Sequence, residues 1–407
     1  DASAAELFLA LGRNLYDAKT ADRTIAGYDD AIGEGIVWAF ERRAGRAIGP
    51  ADVQDVDVLL VRSVTPVTSS LLDGSAVRFV GSATIGTDHV DRDYLEEAGI
   101  AFAHAPASNA DSVADYVIAA LLTLARRRQV ALQNRTVGII GCGNIGGRLA
   151  RRLPALGLAV LQNDPPLAEQ AEAAGQPHDF VGLENVLREA DIITCHVPLT
   201  TGGPHPTHHL IDAEVLGLVQ SGAWLLNTSR GPVVDNDALL AAIEDGRVGA
   251  AALDVWEGEP FPDPELIRAV DVATPHIAGY AYDGKVRGTT MLYEALCDHL
   301  GIEPSWDPAT VLRPDPPDAL RCNPPDPRLP RTDWLHHLAA QAYDLTADDA
   351  RMREILDRSP EDRGDYFSHL RATYPVRREF QRHTVPRTSV PDAYREAVEE
   401  GLTMQWR

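Results

Sequence analysis

The sequence predicts an α/β protein with two doubly wound parallel sheets and a small, mostly helical α+β domain at the C-terminal end. Three observations predict it. Short apolar runs alternate with helical stretches, a glycine-rich turn directly follows one of these runs, and a proline-rich segment precedes the last helical stretch. Buried parallel strands form nearly continuous apolar runs, and the crossovers between them are usually helices.

Length and charge narrow the class of protein. A chain of 407 residues exceeds what one core usually fills, so we expect two or three domains. The net charge of −23 repels phosphate backbones and anionic lipid, and no apolar run is long enough to span a bilayer. We therefore expect neither nucleic acid nor membrane as a partner.

The cysteines and the N-terminus favour a cytoplasmic location. Four cysteines are too sparse for a disulfide framework and show no metal spacing, and the first residues show no signal or transit pattern. Only two residues, Lys19 and Lys285, are lysines. That composition suits either a salt-rich cytoplasm or a genome rich in arginine codons, and both interpretations stay open.

The N-terminal part contains the first predicted sheet. Residues 1–23 are predicted to be an extension with helix-like apolar spacing. The sheet begins with a weak strand around 24–28, which Gly27 interrupts, and continues through apolar runs at 56–61 and 77–80.

A long helix precedes the second predicted sheet. Asn109, Asp111 and Ser112 offer N-terminal caps, and three arginines at 126–128 suit the negative end of a helix. We expect this helix to bridge two domains. Six apolar runs follow, spaced by helical stretches, and predict a doubly wound sheet. They lie at 136–140, 158–162, 192–195, 224–227, 250–253 and 270–273.

The C-terminal part begins after a proline-rich segment. Nine of the 27 residues at 304–330 are proline, which predicts a linker or extended arm. Residues 331–407 then carry stripes of apolar residues at helical spacing, at Trp334, Leu338, Tyr366, Phe367 and Leu370. So small a segment buries little core alone, so we expect the stripes to leave apolar surface for a second copy to cover. The alternative is that they fold back onto the second sheet domain.

The glycine-rich turn predicts a dinucleotide site. Gly141 permits the tight turn, Gly143 admits a pyrophosphate, and Gly146 allows close packing of helix and strand, with Asn144 and Ile145 between the last two. The helix N-terminus that follows favours an anion. Such a pattern also occurs in ordinary tight turns.

Asp164 strengthens that prediction. It ends the next strand, 21 positions after Gly143, where a carboxylate can bind the hydroxyls of an adenosine ribose and repel a 2′-phosphate. NAD is therefore the expected cofactor. The alternative is a turn residue before Pro165.

Three polar residues follow late strands, where such sheets bind ligands. They are Arg230, Glu259 and His276. Singly, each has an ordinary alternative as a surface ion pair, a loop carboxylate or a packed histidine, since most charged loop residues are merely solvated.

Together, the glycine turn and these segments resemble the D-isomer-specific 2-hydroxyacid dehydrogenases. The intervals of 29 and 17 residues between the arginine, glutamate and histidine fit that family. A closer resemblance, from about residue 30 to about 380, is to the branch that oxidises a phosphorylated 2-hydroxy acid in vitamin B6 biosynthesis. It is carried by residues 61–65, 86–91, 164–166, 231–236 and 276–280.

The resemblance implies NAD-dependent oxidation of a small phosphorylated 2-hydroxy acid. His276 would be the base, Glu259 would fix its tautomer, and Arg230 would bind the substrate carboxylate. It also implies cofactor contacts at Val197, Thr228, Ser229, Asp254 and Gly279, and substrate contacts at Ser63, Thr84 and Tyr280. Asp254 would hold the nicotinamide carboxamide.

The resemblance also assigns roles to the domains. Residues 24–108 with 281–303 would bind substrate, residues 109–280 would form the Rossmann-like NAD domain, and residues 331–407 would form the dimerisation domain of a homodimer. By charge alone, Arg62, Lys285 and Arg287 are candidates for a substrate phosphate, and surface solvation is an equal alternative for each.

Three histidines, His205, His208 and His209, suggest a metal, but no carboxylate or cysteine completes a recognisable spacing, so we expect none.

The alternative functions are another dehydrogenase of this family, acting on 3-phosphoglycerate or glyoxylate, and an NAD-binding corepressor. The C-terminal domain argues against both, and the acidic charge argues further against the corepressor.

Overall fold

The computed structural model describes residues 25–28, 37–38, 48–62, 65–304, 307 and 320–407. The predicted extension at 1–23 and the candidate Ser63 lie outside the described residues. The chain divides into two compact units. The first is assigned to Asp1–Asn109 with Tyr282–Pro314, and the second to Ala110–Ala281 with Asp315–Arg407.

The strands and helices of the described residues alternate along most of the chain. The strands are β1 (Ile25–Tyr28), β2 (Val37–Trp38), β3 (Val58–Val61), β4 (Phe79–Ser82), β5 (Ala101–His104), β6 (Thr136–Ile140), β7 (Ala159–Asn163), β8 (Ile192–Cys195), β9 (Ala223–Asn227), β10 (Val248–Leu253), β11 (Val272–Ala273), β12 (Thr384–Val385) and β13 (Gln405–Trp406). The helices are α1 (Ser69–Leu72), α2 (Arg92–Glu97), α3 (Ala110–Arg128), α4 (Gly146–Arg152), α5 (Pro165–Ala173), α6 (Leu183–Glu189), α7 (Ala213–Leu216), α8 (Asn236–Glu244), α9 (Pro264–Ala269), α10 (Tyr282–Leu300), α11 (Arg331–Ala342), α12 (Leu345–Arg353) and α13 (Arg363–Ala372).

The described residues of the first unit form a five-stranded sheet with helices on both faces. Its order is β2-β1-β3-β4-β5, parallel except for the β1–β2 pair. Successive residues of a strand point to opposite faces. Leu60 accordingly packs in one core with Leu296 of α10, and Leu59 packs in another with Leu95 of α2.

The second unit contains a six-stranded sheet in the order β11-β10-β9-β8-β6-β7, and every pair is parallel. The first strand in sequence, β6, lies between β7 and β8, so the order reverses at this strand. Such a reversal opens a crevice at the carboxyl ends of the strands, where ligands bind. The predicted fold class is confirmed, and each predicted strand of this sheet is observed within two residues of its expected bounds.

Helix α3 belongs to this second unit. Every residue from Val113 to Ala125 is buried, and three arginines end the helix as predicted. Its length of 19 residues gives it a long apolar surface on which the C-terminal segment packs.

The apolar stripes of the C-terminal segment pack on the second sheet domain. Trp334 and Leu338 of α11 share a core with α3, and Phe367 of α13 shares one with Ile267 of α9. All three C-terminal side chains are fully buried in the single chain. Tyr366 and Leu370 lie, partly buried, at the edge of the second of these cores. The expectation that these stripes leave apolar surface was therefore wrong, because their partner is the chain's own nucleotide domain.

The described end of the proline-rich segment runs beside β12. Arg321 forms a parallel bridge with Thr384, and the amide of Cys322 donates to the Thr384 carbonyl at 2.9 Å. In the part of the chain that the structure describes, no helix is both long and apolar enough to cross a bilayer.

Candidate active site

The glycine-rich turn lies between β6 and α4, at the point where the strand order reverses. Gly141 has a φ of +88°, and a Cβ there would lie 2.8 Å from the backbone of His196 and from Cγ1 of Val197. A Cβ on Gly146 would overlap the carbonyl oxygen of Gly141, whereas one on Gly143 would meet nothing within 4 Å. The first and third glycines are therefore required by packing, and the second leaves its backbone open to a ligand. Asn144 is exposed and Ile145 half-buried beside it.

Asp164 connects the end of β7 to this turn. One carboxylate oxygen accepts the amide of Cys142 at 2.8 Å, and the other accepts the amide of Leu167 at 3.1 Å as the N-cap of α5. Each oxygen can accept a second hydrogen bond. The side chain therefore caps a helix, which neither the cofactor prediction nor its alternative of a turn residue included. It also lies against the glycine turn, and its role toward a cofactor stays a prediction.

His276 and Glu259 form a direct pair. Nδ1 of His276 lies 2.8 Å from Oε2 of Glu259, whose other oxygen accepts the amide of Trp256 at 2.9 Å. Burial raises the pKa of Glu259, but His276, the Trp256 amide and Arg371 outweigh it, so the net shift is downward. The carboxylate is thus ionised at neutral pH and holds the ring by one nitrogen.

The backbone at His276 is strained. Its φ of +57° lies in the left-handed region, which costs a residue with a side chain roughly 1–2 kcal/mol. Such strain persists only where the surroundings over-determine the conformation.

The constraint comes from Asp254, at the end of β10. Its side chain is only 1% exposed. One oxygen accepts the Ile277 amide at 2.8 Å and the Thr274 hydroxyl at 2.7 Å, and the other accepts the Ala278 amide at 2.9 Å. The His276 amide donates to the backbone carbonyl of Asp254 at 2.7 Å. Asp254 therefore holds the segment that carries the histidine, a role that the sequence did not reveal.

Arg230 lies just after the end of β9, the strand that pairs with β10. The buried side chain of Asn227 donates to the Arg230 carbonyl at 2.9 Å and accepts from the Ser229 amide and hydroxyl. A Cβ on Gly231 would overlap the backbone of Trp256, so the two segments pack without space between them. This packing fixes the Arg230 segment against the one that carries Glu259.

His196, after β8, is a polar residue of the site that sequence reasoning missed. Its Nδ1 lies 3.3 Å from the hydroxyl of Thr228, and its Nε2 lies 2.9 Å from that of Thr194. Desolvation lowers the pKa of His196 to about 3, so the ring is neutral. Its position after a strand of this sheet was a usable signal. Val197, also a predicted cofactor contact, lies next to it against the glycine turn.

Tyr280 and Gly279 follow the histidine segment. The Tyr280 ring meets Tyr374 edge-on with centroids 5.8 Å apart, and the Arg371 guanidinium lies 5.7 Å from the Tyr280 ring centre. Gly279 is half-buried. The C-terminal segment thus contributes neighbours to this end of the site.

The first unit contains the other predicted substrate contact, Thr84. Its hydroxyl donates to the Gly86 carbonyl at 2.7 Å and lies 2.6 Å from the Ser82 hydroxyl, which in turn lies 2.9 Å from Nε2 of His89. Arg287 donates to the Ser108 carbonyl at 2.9 Å. Arg62, Lys285 and Arg287 are all half-buried, and their roles stay predictions.

The three clustered histidines have separate partners. His205 pairs with Glu169 at 2.8 Å, and His209 pairs with Glu257 at 2.7 Å and stacks on His208. Among the residues that the structure describes, no group of three histidine, cysteine or acidic side chains is arranged to hold a metal ion.

The comparison with protein families agrees with this geometry. Residues 103–278 match the NAD binding domain of the D-isomer specific 2-hydroxyacid dehydrogenases, and residues 50–141 match the catalytic domain of the same family. Residues 328–398 match a domain of unknown function, DUF3410. The chain belongs to the D-isomer specific 2-hydroxyacid dehydrogenases, and it is an NAD-dependent oxidoreductase.

Individual relatives resemble the chain more closely than the family models do, and they carry the name of a particular enzyme. The chain is 63% identical to the erythronate-4-phosphate dehydrogenase of Salinibacter ruber, over 95% of this chain and 98% of that protein. It is 47% identical to the enzyme of the same name from Pseudomonas putida, over 84% and 88% of the two chains. Among solved structures, the D-lactate dehydrogenase of Aquifex aeolicus in complex with NAD and lactic acid matches with a TM-score of 0.52 and 28% identity, over 63% of this chain and 90% of that one.

The ionised Glu259 predicts a change in pH dependence. Glu259→Gln removes the negative charge beside the ring, and its single carbonyl oxygen can accept a hydrogen bond from His276 or from Trp256 but not from both. His276 lowers the pKa of Glu259, and the coupling between the two groups is mutual. Without the charge we therefore expect the acidic limb of the kcat profile to move to lower pH. NAD reduction measured across the titration range of histidine tests this.

The matched control is Glu257→Gln, which changes a carboxylate two residues away that pairs with His209 instead. Its acidic limb should stay in place. An unmoved limb in Glu259→Gln, or an equal shift in the control, would contradict the assigned role.

Proposed function

We propose that this enzyme oxidises 4-phospho-D-erythronate to 2-oxo-3-hydroxy-4-phosphobutanoate with NAD, a step in the biosynthesis of pyridoxal phosphate. The observation that carries the proposal is the His276–Glu259 pair, at 2.8 Å, at the carboxyl edge of a dinucleotide-binding sheet. The substrate is inferred from the relatives named erythronate-4-phosphate dehydrogenase.

The pair suits removal of a hydroxyl proton. Because the ionised Glu259 faces Nδ1, that nitrogen carries the proton of the neutral ring, and Nε2 keeps its lone pair for the substrate. As the C2 hydroxyl gives its proton to Nε2, the C2 hydrogen leaves as hydride and a carbonyl forms. General acid–base catalysis of this kind contributes about 10²- to 10⁴-fold.

The residues at the glycine turn fit NAD. Gly143 leaves room for a pyrophosphate, and Asp164 has acceptor capacity for ribose hydroxyls and a charge that disfavours a 2′-phosphate. Bound there, NAD supplies the hydride acceptor. Val197, Thr228, Ser229, Asp254 and Gly279 stay proposed contacts from the family resemblance.

Arg230 is the proposed carboxylate-binding residue. Its planar guanidinium matches a carboxylate in two hydrogen bonds, and the same cation polarises the developing C2 carbonyl. Tyr280, Thr84 and Ser63 stay proposed substrate contacts.

Turnover tests the proposal directly. With NAD, the protein should oxidise D-erythronate 4-phosphate far better than D-erythronate or 3-phosphoglycerate, and should reduce glyoxylate poorly with NADH. His276→Ala should lower kcat by about 10²- to 10⁴-fold without changing the Kd for NAD, because the ring moves a proton and does not hold the cofactor.

His205→Ala is the matched control, since His205 also pairs with a carboxylate at 2.8 Å, that of Glu169, whose side chain is 62% exposed against 21% for Glu259. It should leave kcat unchanged. Preference for 3-phosphoglycerate or glyoxylate would assign a different substrate, and absence of any turnover with NAD bound would favour the corepressor.

We also propose a cytoplasmic homodimer. The four cysteines are free and buried, as suits a reducing compartment. The support for the dimer is the family resemblance, together with two exposed large apolar side chains, Phe261 and Val376, at 56% and 67%.

Sedimentation tests the dimer. The molar mass measured by sedimentation should be twice the 44.1 kDa of one chain. A single species at 44.1 kDa across the concentrations used in the assay would contradict it.

A further inference from the structure

The segment that carries His276 is held by opposite charges on two sides. Asp254 accepts its amides, as described above. On the other side Arg377, about 100 residues further along the chain, donates from Nη2 to the Ala278 carbonyl at 2.6 Å and to the Ile277 carbonyl at 3.5 Å. We call residues 276–278 the histidine loop. The anion therefore faces its N–H groups and the cation faces its C=O groups.

Arg377 is placed by a tyrosine cluster of the C-terminal segment. Its side chain is buried, with 7% exposed. Its guanidinium carbon lies 4.0 Å from the ring centre of Tyr343 and 5.9 Å from that of Tyr374. Both tyrosine hydroxyls donate to Asp348 Oδ2, at 2.9 and 2.7 Å. A buried carboxylate thus fixes two rings, and the rings fix the guanidinium.

The remaining nitrogens of Arg377 have no competing role. Among the described residues, Nε and Nη1 meet no hydrogen-bond acceptor. The loop carbonyls are therefore the hydrogen-bond partners that the structure gives this side chain. Burial lowers the pKa of Arg377, but its neighbours, among them Tyr374, Tyr343 and Asp348, raise it above the usual value, so the charge is retained.

The same C-terminal segment holds the strand before the loop. The amide of Ala273, the last residue of β11, donates to Asp349 Oδ1 at 2.9 Å. Asp349 is in turn paired with Arg353 and Arg127 at 2.9 Å. The chain is thus hydrogen-bonded to the C-terminal segment both before and after His276: Ala273 to Asp349 of α12, and residues 277–278 to Arg377.

We propose that the C-terminal segment, which matches a domain of unknown function, is part of the catalytic apparatus, with Arg377 as a positioning residue for the histidine loop. The proposal rests on the proposed role of His276 as the base. Without Arg377, the buried Ala278 carbonyl loses its donor at 2.6 Å, and the Ile277 carbonyl keeps only the Tyr280 amide at 2.9 Å. The left-handed His276 backbone is then less constrained on that side. A displacement of about 1 Å at a reacting group can cost about 100-fold in rate.

The test compares two variants of Arg377 and one of Tyr343, whose ring supports the guanidinium, with one matched control. Arg377→Met removes the donors, Arg377→Lys keeps the charge without the planar fork, and Tyr343→Leu removes the ring that supports the guanidinium. The control is Arg331→Met. Arg331 also lies over a tyrosine, Tyr394, at 5.7 Å, and also donates to a carbonyl of the nucleotide domain, that of Ala155 at 2.9 Å.

We expect Arg377→Met to lower kcat by about 10- to 100-fold while the Kd for NAD stays unchanged. Arg377→Lys should recover part of the loss, and Tyr343→Leu should show a smaller loss of the same kind. Hydrogen exchange of the peptide covering 274–282 should be faster in Arg377→Met and unchanged in Arg331→Met.

Three outcomes would overturn the inference. They are an equal loss of kcat in the control, an equal loss of NAD affinity in Arg377→Met, and unchanged exchange of the 274–282 peptide in Arg377→Met. If Arg377→Met does not fold, Arg377→Lys and Tyr343→Leu decide by the same criteria. Failure of the proposed function is distinguishable, because it appears as absent turnover in the unmutated protein, whereas the exchange result does not depend on turnover.

Discussion

The candidate active site depends on one buried carboxylate, that of Asp254. Asp254 is almost completely excluded from solvent, and its side chain accepts two backbone amides and the hydroxyl of Thr274. Burial raises the pKa of Asp254, and His276 together with these donors opposes the rise. A buried charge is tolerated only when hydrogen bonds or counter-charges replace water. The histidine loop provides two of these donors, the amides of residues 277 and 278. It can do so only by folding against Asp254, and in that fold His276 has its strained conformation.

The sheet brings the other groups to the same edge. Because β9 and β10 are adjacent and parallel, the segments that follow them start side by side, with Arg230 after one and Glu259 after the other. The amide of Asp254 donates to the Asn227 carbonyl at 3.0 Å, so the two strand ends are bonded at the point where they diverge. Helix α3 adds a further support, since the hydroxyl of its Tyr116 lies 2.7 Å from that of Thr274. The histidine is thus positioned by strand, helix and C-terminal segment together.

Local patterns in the sequence predicted the local features well. The spacing of three glycines and one acidic residue, at 141, 143, 146 and 164, predicted the glycine turn and its neighbouring carboxylate. The apolar runs predicted the strands of the second sheet to within two residues. The C-terminal stripes show where that reasoning stops. Periodicity at Trp334 and Phe367 indicates that a face is buried, but the partner, α3 or α9, is set by contacts over 90 residues or more. The role of Arg377 and the contacts of Asp254 with the histidine loop were not predicted. Their partners lie 20 to 100 residues away and are mostly backbone groups, which leave no signal in a single sequence.

The central claim is that Asp254 holds the histidine loop, in addition to its proposed contact with the cofactor. Asp254→Asn tests it most directly, because an amide cannot accept hydrogen bonds at both ends. Kinetics and NAD titration of the folded variant should show kcat reduced by about 100-fold and a much smaller rise in the Kd for NAD. A Kd for NAD raised by as much as kcat falls would contradict the account, because Asp254 would then act through cofactor binding alone.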